Sequence, residues 1–477
     1  MPVTRRGLIG LALGIAAARP WQARAAVPRE ADIVVIGAGA AGIAAARKIA
    51  AAGRRVVVIE ATGAIGGRCQ TDATTFGMPF DRGARWLYNP DTNPLVKPAR
   101  GAGLEIVAAT QGQKIRIGRR YARAGEAEDF LATLVRANRA IDEAARRSDI
   151  ACAPVLPKDL GDWAGATEFL LGAFGSGKDL KDFSVGDQFH SEHRDTSAGA
   201  RVGLGALVAK LGDGLPVSLN TPVTRVAWTN RDVSVETAAG TIAARAVIVT
   251  VSTNVLTSGK IKFAPDLPKR QLDAAVKLSL GSYDHVAIEL PGNPLGLSRD
   301  DVLIEQSQDN RTAILYANIG GSSLCSLDVG GSFGRDLSAQ GDAAMVAFAK
   351  EWIAKLFGSD AAAAIKRSAA TRWNAAPYAL GAMSAAAPGG QAGRRVLIEP
   401  LGTLFLAGEA THETEFGTVG GAWESGERAA DAALKKIGTV KDVAPERPAR
   451  PERRRRVRPE GTSQAPAAPS GTFWPRT

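Results

Sequence analysis

The chain contains little cysteine and histidine for its length, with three cysteines and four histidines in 477 residues. Cys69, Cys152 and Cys325 are odd in number and have no paired spacing. The sequence therefore predicts no disulfide framework, even for a protein in an oxidising compartment. His190 and His193 have a spacing that resembles metal ligands, but no further ligand motif accompanies them. We interpret them as surface histidines and expect no metal site.

A membrane-spanning run is missing from the N-terminus, and most of the net charge lies at the two ends. The apolar stretch from Gly7 to Ala18 has twelve residues, too few to cross a bilayer. The formal net charge of +11 would suggest nucleic-acid binding if it were spread over a folded surface. Residues 1–25 hold four arginines and no acid, and residues 441–477 hold nine basic and four acidic residues. The body between them is nearly neutral, so we expect no nucleic-acid partner.

Both ends of the chain have the composition of segments outside a folded domain. Arg5-Arg6, the apolar stretch after them and Ala23-Arg24-Ala25 predict a twin-arginine (Tat) signal peptide over residues 1–25. The alternative is an uncleaved signal anchor. The Tat reading implies a bacterial periplasmic or secreted protein that is exported folded with its cofactor loaded. Residues 441–477 predict a disordered Pro/Arg-rich tail, and an envelope surface is its candidate, weakly bound partner.

The segment from residue 31 to residue 60 carries the strongest functional signal. A strand at Asp32–Ile36 is followed by the glycine turn Gly37-x-Gly39-x-x-Gly42 and by a helix at Ile43–Ala52. A second strand at Arg55–Ile59 then leads to the acid Glu60. Gly37 permits a tight turn, Gly39 lets backbone approach a pyrophosphate, and Gly42 lets helix and strand pack closely. The helix N-terminus offers free amides to phosphates, and Glu60 can accept hydrogen bonds from a ribose. This order predicts a dinucleotide site in a Rossmann-like fold.

A second glycine motif follows at Gly66-Gly67-Arg68, with Thr71 after it. From Glu60 to Thr71 the chain resembles the ExxxxxGGRxxT stretch of flavin-containing amine oxidases, a family that is itself similar to phytoene desaturases and protoporphyrinogen oxidases. In that family the glycine pair and the arginine lie along the diphosphate and the flavin edge. The resemblance extends over most of the chain, through the segments Asp81–Trp86, Gly203–Leu207, Thr221–Val226, Ala246–Val251, Phe263–Pro268, Leu404–Glu409 and Gly417–Ala430.

The resemblance implies non-covalent FAD in an α/β protein, with a Rossmann-like FAD-binding domain and an interleaved α+β substrate domain. We assign residues 26–90, 196–262 and 391–440 to the first and residues 91–195 and 263–390 to the second. Thr418-Val419 should open a helix that runs to about Lys436 and stabilises reduced flavin through its N-terminus. The candidate cofactor-binding residues are Gly37, Gly39, Ala40, Ala41, Gly42, Glu60, Ala61, Gly67, Arg68, Gly83, Ala84, Arg85, Trp86, Val223, Gly408, Glu409, Thr418 and Val419.

The substrate domain should mix helices and strands. Apolar residues recur at helical spacing from Glu126 to Arg147, which predicts an amphipathic helix. We expect further strands at Val286–Leu290 and Thr312–Ile319, and a helix near Ala343–Phe357.

The chain departs from the family pattern at its candidate catalytic positions, His285, Met383 and Thr418. His285 takes the place where many amine oxidases have a lysine joined through water to flavin N5, and we expect it to act as a water-bridged base or donor. Met383 and Thr418 take the places of the two aromatic walls of an amine cage. Ala382 stands where monoamine oxidases attach flavin covalently, so no thioether can form there. Loss of both walls argues against a simple monoamine substrate.

The resemblance implies an FAD-dependent amine oxidase or dehydrogenase, with hydride transfer from a small-molecule amine to flavin N5 and hydrolysis of the imine. Four alternatives remain open: an L-amino-acid oxidase, a periplasmic amine dehydrogenase, a desaturase-like flavoenzyme and a non-catalytic flavin-bearing accessory protein. The first needs an arginine for the substrate carboxylate, and Arg85 lies one residue early for that role. The electron acceptor is expected to be O2 or a periplasmic electron carrier.

Overall fold

A computed structural model describes residues 27–109, 112–194 and 196–438. The predicted signal peptide and the predicted C-terminal tail both lie outside these residues. All described residues belong to one compact unit. Within the described ranges, no helix is long and apolar enough to cross a membrane.

The strands are short and come from every part of the described chain. They are β1 Ile33–Ile36, β2 Val56–Ile59, β3 Thr71–Asp72, β4 Phe80–Asp81, β5 Leu87–Tyr88, β6 Ile106–Ala108, β7 Gln113–Ile117, β8 Arg120–Tyr121, β9 Ser197–Ala200, β10 Val217–Ser218, β11 Val223–Trp228, β12 Val233–Thr237, β13 Gly240–Ala244, β14 Ala246–Val249, β15 Lys262–Ala264, β16 Tyr283–Glu289, β17 Val302–Glu305, β18 Ile314–Tyr316, β19 Leu324–Gly330, β20 Arg367–Ala370 and β21 Leu404–Leu406.

The helices alternate with these strands. The α-helices are α1 Ala40–Ala51, α2 Val96–Gly101, α3 Ala124–Ala145, α4 Ala164–Glu168, α5 Val185–His190, α6 Leu204–Leu211, α7 Thr253–Thr257, α8 Lys269–Lys277, α9 Gly331–Ala339, α10 Asp342–Phe357, α11 Ser359–Ala363, α12 Gly393–Ile398 and α13 Val419–Ile437. Single 3-10 turns lie at Ala153–Val155, Gly161–Trp163, Ile319–Gly321, Trp373–Ala375 and Glu409–Thr411, and a π-helix covers Phe169–Phe174.

A parallel sheet of five strands, in the order β10-β2-β1-β14-β21, forms the nucleotide-binding layer. Its central strands are buried on both faces, as expected for apolar β-branched runs in a parallel sheet. Because successive side chains of a strand point to opposite faces, Ile33 and Val35 pack with α1 and α13, whereas Val34 and Ile36 pack with the four-stranded sheet β13-β12-β11-β15. The predicted α/β class and Rossmann-like layer are confirmed.

A mixed sheet of seven strands, in the order β20-β16-β19-β18-β17-β7-β8, forms a second layer. Trp352, Ile353 and Leu356 of α10 pack against its apolar face. Its strands come from residues 113–121 and 283–370, whereas the parallel sheet draws on residues 33–59, 217–249 and 404–406. Two strands cross the predicted division: β15 at residues 262–264 joins the four-stranded sheet on the nucleotide-binding side, and β6 at residues 106–108 pairs with β9. The domain bounds themselves stay a prediction.

Most predicted elements lie within a few residues of their expected bounds. The predicted amphipathic helix is α3, which buries Phe130, Ala137 and Ile141. The predicted strand over Thr312–Ile319 is shorter than expected, because only Ile314–Tyr316 pairs with neighbouring strands and a 3-10 turn begins at Ile319. The C-terminal helix ends at Ile437, followed by Gly438 with a positive φ of 77°.

Candidate active site

A cavity of about 1210 Å³ lies between the parallel sheet and the seven-stranded sheet. It is lined by residues of the glycine turn after β1, by the ends of β2 and β14, by the start of α13 and by side chains of β16 to β19. The three candidate catalytic residues line this cavity, as do all the candidate cofactor-binding residues except Gly42. The structure therefore brings the predicted site together in one place.

The N-terminus of α1 opens onto the cavity. Its first intrahelical hydrogen bond runs from Ile43 N to Gly39 O, at 2.9 Å. The amides of Ala40 and Ala41 precede that bond, and both residues line the cavity. A helix N-terminus with free amides is an anion site, because the amides donate hydrogen bonds and the helix dipole favours negative charge. This end of α1 fits a pyrophosphate.

The three glycines in the turn differ in whether packing requires them to lack a side chain. Gly37 has a φ of +102°, and a Cβ there would lie 2.5 Å from Thr250 Oγ1. A Cβ at Gly39 would make only an ordinary contact, 3.8 Å from Gly66 O, so packing within the protein does not require a glycine there. Gly42 does not line the cavity, and its Cβ would collide with the Gly37 carbonyl. Gly42 therefore serves helix–strand packing, and the structure shows no direct contact between Gly42 and the cavity that would support its predicted role in cofactor binding.

Glu60 is buried at the end of β2, where the sequence placed a ribose acceptor. Its Oε2 accepts a hydrogen bond from Ala38 N at 2.8 Å, and its Oε1 accepts from Thr62 N and Thr62 Oγ1, both at 2.8 Å. A carboxylate offers about four acceptor positions. Glu60 lines the cavity and has one of them left, which is what a ribose hydroxyl needs.

Glu409 has no such position left. Its Oε1 accepts from Arg68 Nη1 at 2.8 Å and Ser384 N at 3.1 Å, and its Oε2 accepts from Ser384 Oγ at 2.6 Å and Gly417 N at 2.9 Å. Burial acts to raise the pKa of Glu409, but the Arg68 charge and the Ser384 hydroxyl outweigh it and lower the pKa. The predicted contact of Glu409 with the cofactor is therefore not favoured, because four protein donors fill the carboxylate.

Arg68 is held by the same cluster. Its Nη1 donates to the Ala382 carbonyl at 2.7 Å as well as to Glu409. The guanidinium therefore joins the Gly66-Gly67-Arg68 turn to the C-terminal segment, while the backbone of the turn lines the cavity. That Arg68 lies close to the cofactor stays a prediction. Its contacts show that it positions the surrounding backbone.

A second helix N-terminus faces the cavity at α13. Thr418 caps this helix: its Oγ1 accepts from Gly421 N at 2.9 Å and donates to the Glu415 carbonyl at 2.7 Å. The hydroxyl of Thr418 is thus committed to the helix end and contributes only its surface to the cavity wall. Helices α1 and α13 approach closely, because a Cβ at Gly426 would collide with the Ala41 carbonyl.

His285 lies on β16 with both ring nitrogens in contact with protein groups. Its Nε2 lies 3.0 Å from the Gly83 carbonyl, and its Nδ1 lies 2.8 Å from Asp328 Oδ1 and 2.6 Å from Arg85 Nη2. Nε2 carries a proton, because a carbonyl oxygen only accepts. The expected role of a water-bridged base is not favoured, since neither nitrogen is left for a water. The neighbouring Asp284 does not line the cavity and binds Thr371 and Trp373 instead.

Arg85 lines the cavity, and its guanidinium contacts side chains of the seven-stranded sheet. Its Nη2 donates to Asp328 Oδ1 at 3.0 Å, and its guanidinium lies 4.7 Å from the centre of the Tyr316 ring. Burial acts against a charged Asp328, but Arg85 and His285 outweigh it and lower its pKa to about 2. Tyr283 and Ser326 also donate to this carboxylate. Asp328 therefore balances the charge of Arg85, whereas Arg85 Nη1 has no hydrogen-bond partner among the described residues, and its role as a cofactor ligand stays a prediction.

Met383 forms part of the cavity wall next to an arginine that the sequence motifs did not indicate. A Cβ built at Gly417 would lie 3.7 Å from Met383 Sδ and 3.7 Å from Arg194 Nη2. Arg194 also lines the cavity, and its guanidinium lies 5.0 Å from the centre of the Tyr88 ring. Asp328, Tyr88 and Tyr316 were missed in the same way, because no short motif surrounds them.

The remaining histidines, Cys152 and Cys325 lie outside the cavity, whereas Cys69 is among the residues that line it. His190 Nδ1 lies 2.7 Å from the Gly186 carbonyl, so it is engaged in its own helix. Among the described residues, one group has the spacing of metal ligands, His412, Glu415 and Glu424. His412 Nδ1 accepts from Glu415 N at 2.9 Å, which places the ring proton on Nε2, facing Glu424. All three cysteines are buried and unpaired.

Comparison with known proteins connects this geometry to a family. A sequence model described as flavin containing amine oxidoreductase matches residues 157–434, and a model of an NAD(P)-binding Rossmann-like domain matches residues 35–99. The chain is 27% identical to polyamine oxidase 4 of Oryza sativa subsp. japonica, over 86% of this chain and 90% of that protein. It is 25% identical to human lysine-specific histone demethylase 2 over 84% of this chain, but spans only about half (53%) of that protein.

Solved structures show the same fold at lower identity. Cyclohexylamine oxidase from Brevibacterium oxydans superposes with a TM-score of 0.73 at 20% identity, covering 85% of this chain and 99% of that one. Wild-type putrescine oxidase bound to putrescine superposes with a TM-score of 0.72 at 18% identity, covering 84% and 98%.

Proposed function

The chain belongs to the flavin-containing amine oxidoreductase family, and we propose that it oxidises the C–N bond of an amine to an imine that water then hydrolyses. FAD is the cofactor, bound without a covalent link. Ala382 supports this binding mode, because an alanine offers no thiol at the position that resembles the covalent attachment site. When bound, FAD supplies the acceptor for a hydride from the substrate carbon.

The residues of the cavity fit this cofactor. The amide end of α1 would hold the diphosphate and the remaining acceptor position of Glu60 would hold the ribose. Gly39 leaves room for a close backbone approach, and the amide end of α13 would stabilise negative charge at the other end of the cavity. The Arg68–Glu409 pair keeps the two glycine-containing segments in place between these ends.

The substrate end of the cavity offers no free base among the described residues. Asp328 accepts from Arg85, Tyr283 and Ser326 and lies 2.8 Å from His285 Nδ1, and the histidine ring contacts protein through both nitrogens. A hydride can leave only from a neutral amine, so we expect the deprotonated amine to bind from solution. The protein then contributes orientation and exclusion of bulk water.

The observation that carries the proposal is the single cavity that joins the dinucleotide-binding end of the parallel sheet to side chains of the seven-stranded sheet. The test is anaerobic mixing of the full, FAD-loaded chain with a panel of primary, secondary and polyamines. Loss of the oxidised-flavin absorption with at least one amine is the expected result. A flavin that no amine reduces would favour a desaturase-like enzyme or an accessory protein.

A dehydrogenase that passes electrons to a carrier is the second candidate, favoured by the groups around His285. An unpaired cation near the reacting flavin would assist its reaction with oxygen. The guanidinium beside His285 is instead paired with Asp328 at 3.0 Å, so it is not an unpaired cation. We therefore favour a protein or dye acceptor over O2.

A further inference from the structure

Arg194 occupies the wall of the cavity beside the two positions that resemble the aromatic cage of amine oxidases. A Cβ built on Gly417 would lie 3.7 Å from both Arg194 Nη2 and Met383 Sδ, and Thr418 is the next residue. The Tyr88 ring, 5.0 Å from the guanidinium carbon, supports the side chain from one side. A fixed cation thus stands where this family would otherwise present an apolar face to an amine.

The hydrogen bonds of Arg194 leave most of its guanidinium unused. Among the described residues, its one side-chain hydrogen bond is a long one, from Nη2 to the Phe416 carbonyl at 3.3 Å, and it takes part in no salt bridge. A guanidinium has five N–H donors in a planar fork that matches a carboxylate. Glu415, whose charge interacts with that of Arg194, does not line the cavity, and burial raises its pKa to about 7.

The acidic residues that line the described part of the cavity cannot form an ion pair with Arg194. The described lining contains Glu60, Glu409 and Asp328. Glu60 belongs to the β2 end, Glu409 has four protein donors, and Asp328 is the partner of Arg85. With Asp328 and Arg85 cancelling each other, the substrate end carries the surplus positive charge of Arg194.

The unpaired positive charge of Arg194 distinguishes a diamine from an amine that carries a carboxylate. A second ammonium group, as in a diamine, would meet a guanidinium and find no free acid among the cavity residues described. A carboxylate would find a partly buried cation with unused donors, where a charge-assisted pair is stronger than at an open surface. Arg85, which lies one residue early for the carboxylate role, has its charge balanced by Asp328, although its Nη1 has no hydrogen-bond partner among the described residues.

We propose that Arg194 binds a carboxylate on the amine substrate, so that the protein acts on an amino acid or another amino carboxylate. The proposal rests on amine oxidation as the proposed function and names its substrate class. Arg194 contacts the substrate at the wall formed with Met383, and Tyr88 holds the guanidinium in position.

The test compares matched pairs of substrates that differ only in the carboxylate, such as tyramine with tyrosine and cadaverine with lysine. Anaerobic rapid mixing with the FAD-loaded protein gives the apparent Kd and the limiting rate of flavin reduction for each member. The wild type should reduce faster with the carboxylated member of at least one pair, by about tenfold or more at low concentration. Arg194→Met should raise the apparent Kd for that member by roughly ten- to a hundredfold, with a smaller effect on the limiting rate.

Two further variants separate recognition from folding. Arg194→Lys keeps the charge and should retain part of the preference. Arg201→Met removes an arginine seven residues away whose guanidinium pairs with Glu105 on the surface, and it should behave as the wild type. A binding readout independent of turnover is titration of the oxidised protein with benzoate, which should perturb the flavin spectrum of the wild type and of Arg201→Met but not that of Arg194→Met.

The outcomes distinguish this inference from the function on which it rests. Plain amines that reduce the flavin as efficiently as their amino acids would overturn the inference and leave amine oxidation standing. An Arg194→Met variant with the wild-type preference and the wild-type benzoate response would do the same. A flavin that neither member of any pair reduces would overturn amine oxidation and the substrate class together.

Discussion

Arg394 and Asp187, 207 residues apart in the chain, form a fully buried ion pair: Nη2 lies 2.7 Å from Oδ2 and Nε lies 2.9 Å from Oδ1. Arg394 Nη1 also donates to Ser384 Oγ at 3.1 Å, and Ser384 Oγ donates to Glu409. The pair is thus the outer end of a polar chain that continues to Arg68 at the cavity.

Replacing Asp187 by alanine should lower the free energy of unfolding by about 3–5 kcal/mol, because it leaves the Arg394 charge buried without a counter-ion. Asp213→Ala is the matched control, since Asp213 forms an exposed pair with Lys210 and should cost less than about 1 kcal/mol. Urea unfolding of the FAD-loaded proteins measures both. Equal losses in the two variants would contradict a structural role for the buried pair.

Replacing Glu60 by glutamine should weaken FAD binding by about tenfold or more. The charged acceptor is lost, and the new amide group would face an N–H of Ala38 or Thr62 in place of an oxygen; hydrogen bonds to a charged group contribute about 1.5–3 kcal/mol. Titration of apoprotein with FAD measures the change. Glu236→Gln, at an exposed pair with Arg225, should leave the affinity unchanged. An unaltered affinity in Glu60→Gln would refute the assignment.

Reoxidation of the reduced enzyme by air should be slow, and reoxidation by a dye or cytochrome fast. His285→Lys would add a positive charge beside the cavity and should speed the reaction with oxygen, because a fixed charge can lower such a barrier by several kcal/mol. His285→Ala should not speed the reaction with oxygen. Stopped-flow reoxidation of the three proteins at one oxygen concentration is the measurement. Fast reoxidation of the wild type, or a lysine variant no faster than alanine, would show that position 285 does not control the acceptor.

Stability should fall as the pH drops from about 4 to about 2, in part through Asp328. The pKa of Asp328 is lowered to about 2 in the folded state, so its pairs stabilise the protein above the unfolded pKa and are lost as the pH falls towards 2. Asp328→Asn should be less stable at pH 7 and should show an acid dependence shallower by up to about 1.4 kcal/mol per pH unit. Chemical unfolding at a series of pH values tests this, and identical slopes would contradict it.

Export should depend on Arg5 and Arg6. Because the sequence predicts a twin-arginine signal, replacing both residues by lysine should leave the protein in the cytoplasm, still loaded with flavin. Cell fractionation with flavin fluorescence measures location and loading together. Arg453 and Arg454, replaced in the same way, serve as the control and should not alter export. Normal export of the first variant would exclude the signal.

The dinucleotide half of the site follows from local sequence, and the substrate half does not. The turn at Gly37, the acid at Glu60 and the capped start of α13 each depend on residues within one strand–helix unit, so their spacing predicts them. The direction of the Arg85 side chain depends on Asp328, 243 residues later on another sheet. No spacing contains that information, because a long side chain is placed by its tertiary partner.

Glu409 and Arg194 illustrate two further limits. The Gly408-Glu409 motif indicates where the carboxylate lies, but not that Arg68, Ser384 and Gly417 fill all its acceptor positions. Arg194 belongs to no motif, and only the packing of Gly417 against Met383 reveals that it stands at the cavity wall. The roles of Glu409 and Arg194 both depend on which tertiary contacts their side chains make, and a pattern of residue types does not describe those contacts.

The order of strands in the parallel sheet has a consequence for biosynthesis. Its first strand is complete at Ile36, whereas the last strand and the second helix N-terminus require the chain up to Leu406 and Val419. A nascent chain on the ribosome therefore carries the glycine turn long before it carries the other wall of the cavity. FAD can be enclosed only after translation is nearly finished, so cofactor loading follows chain synthesis and does not accompany it.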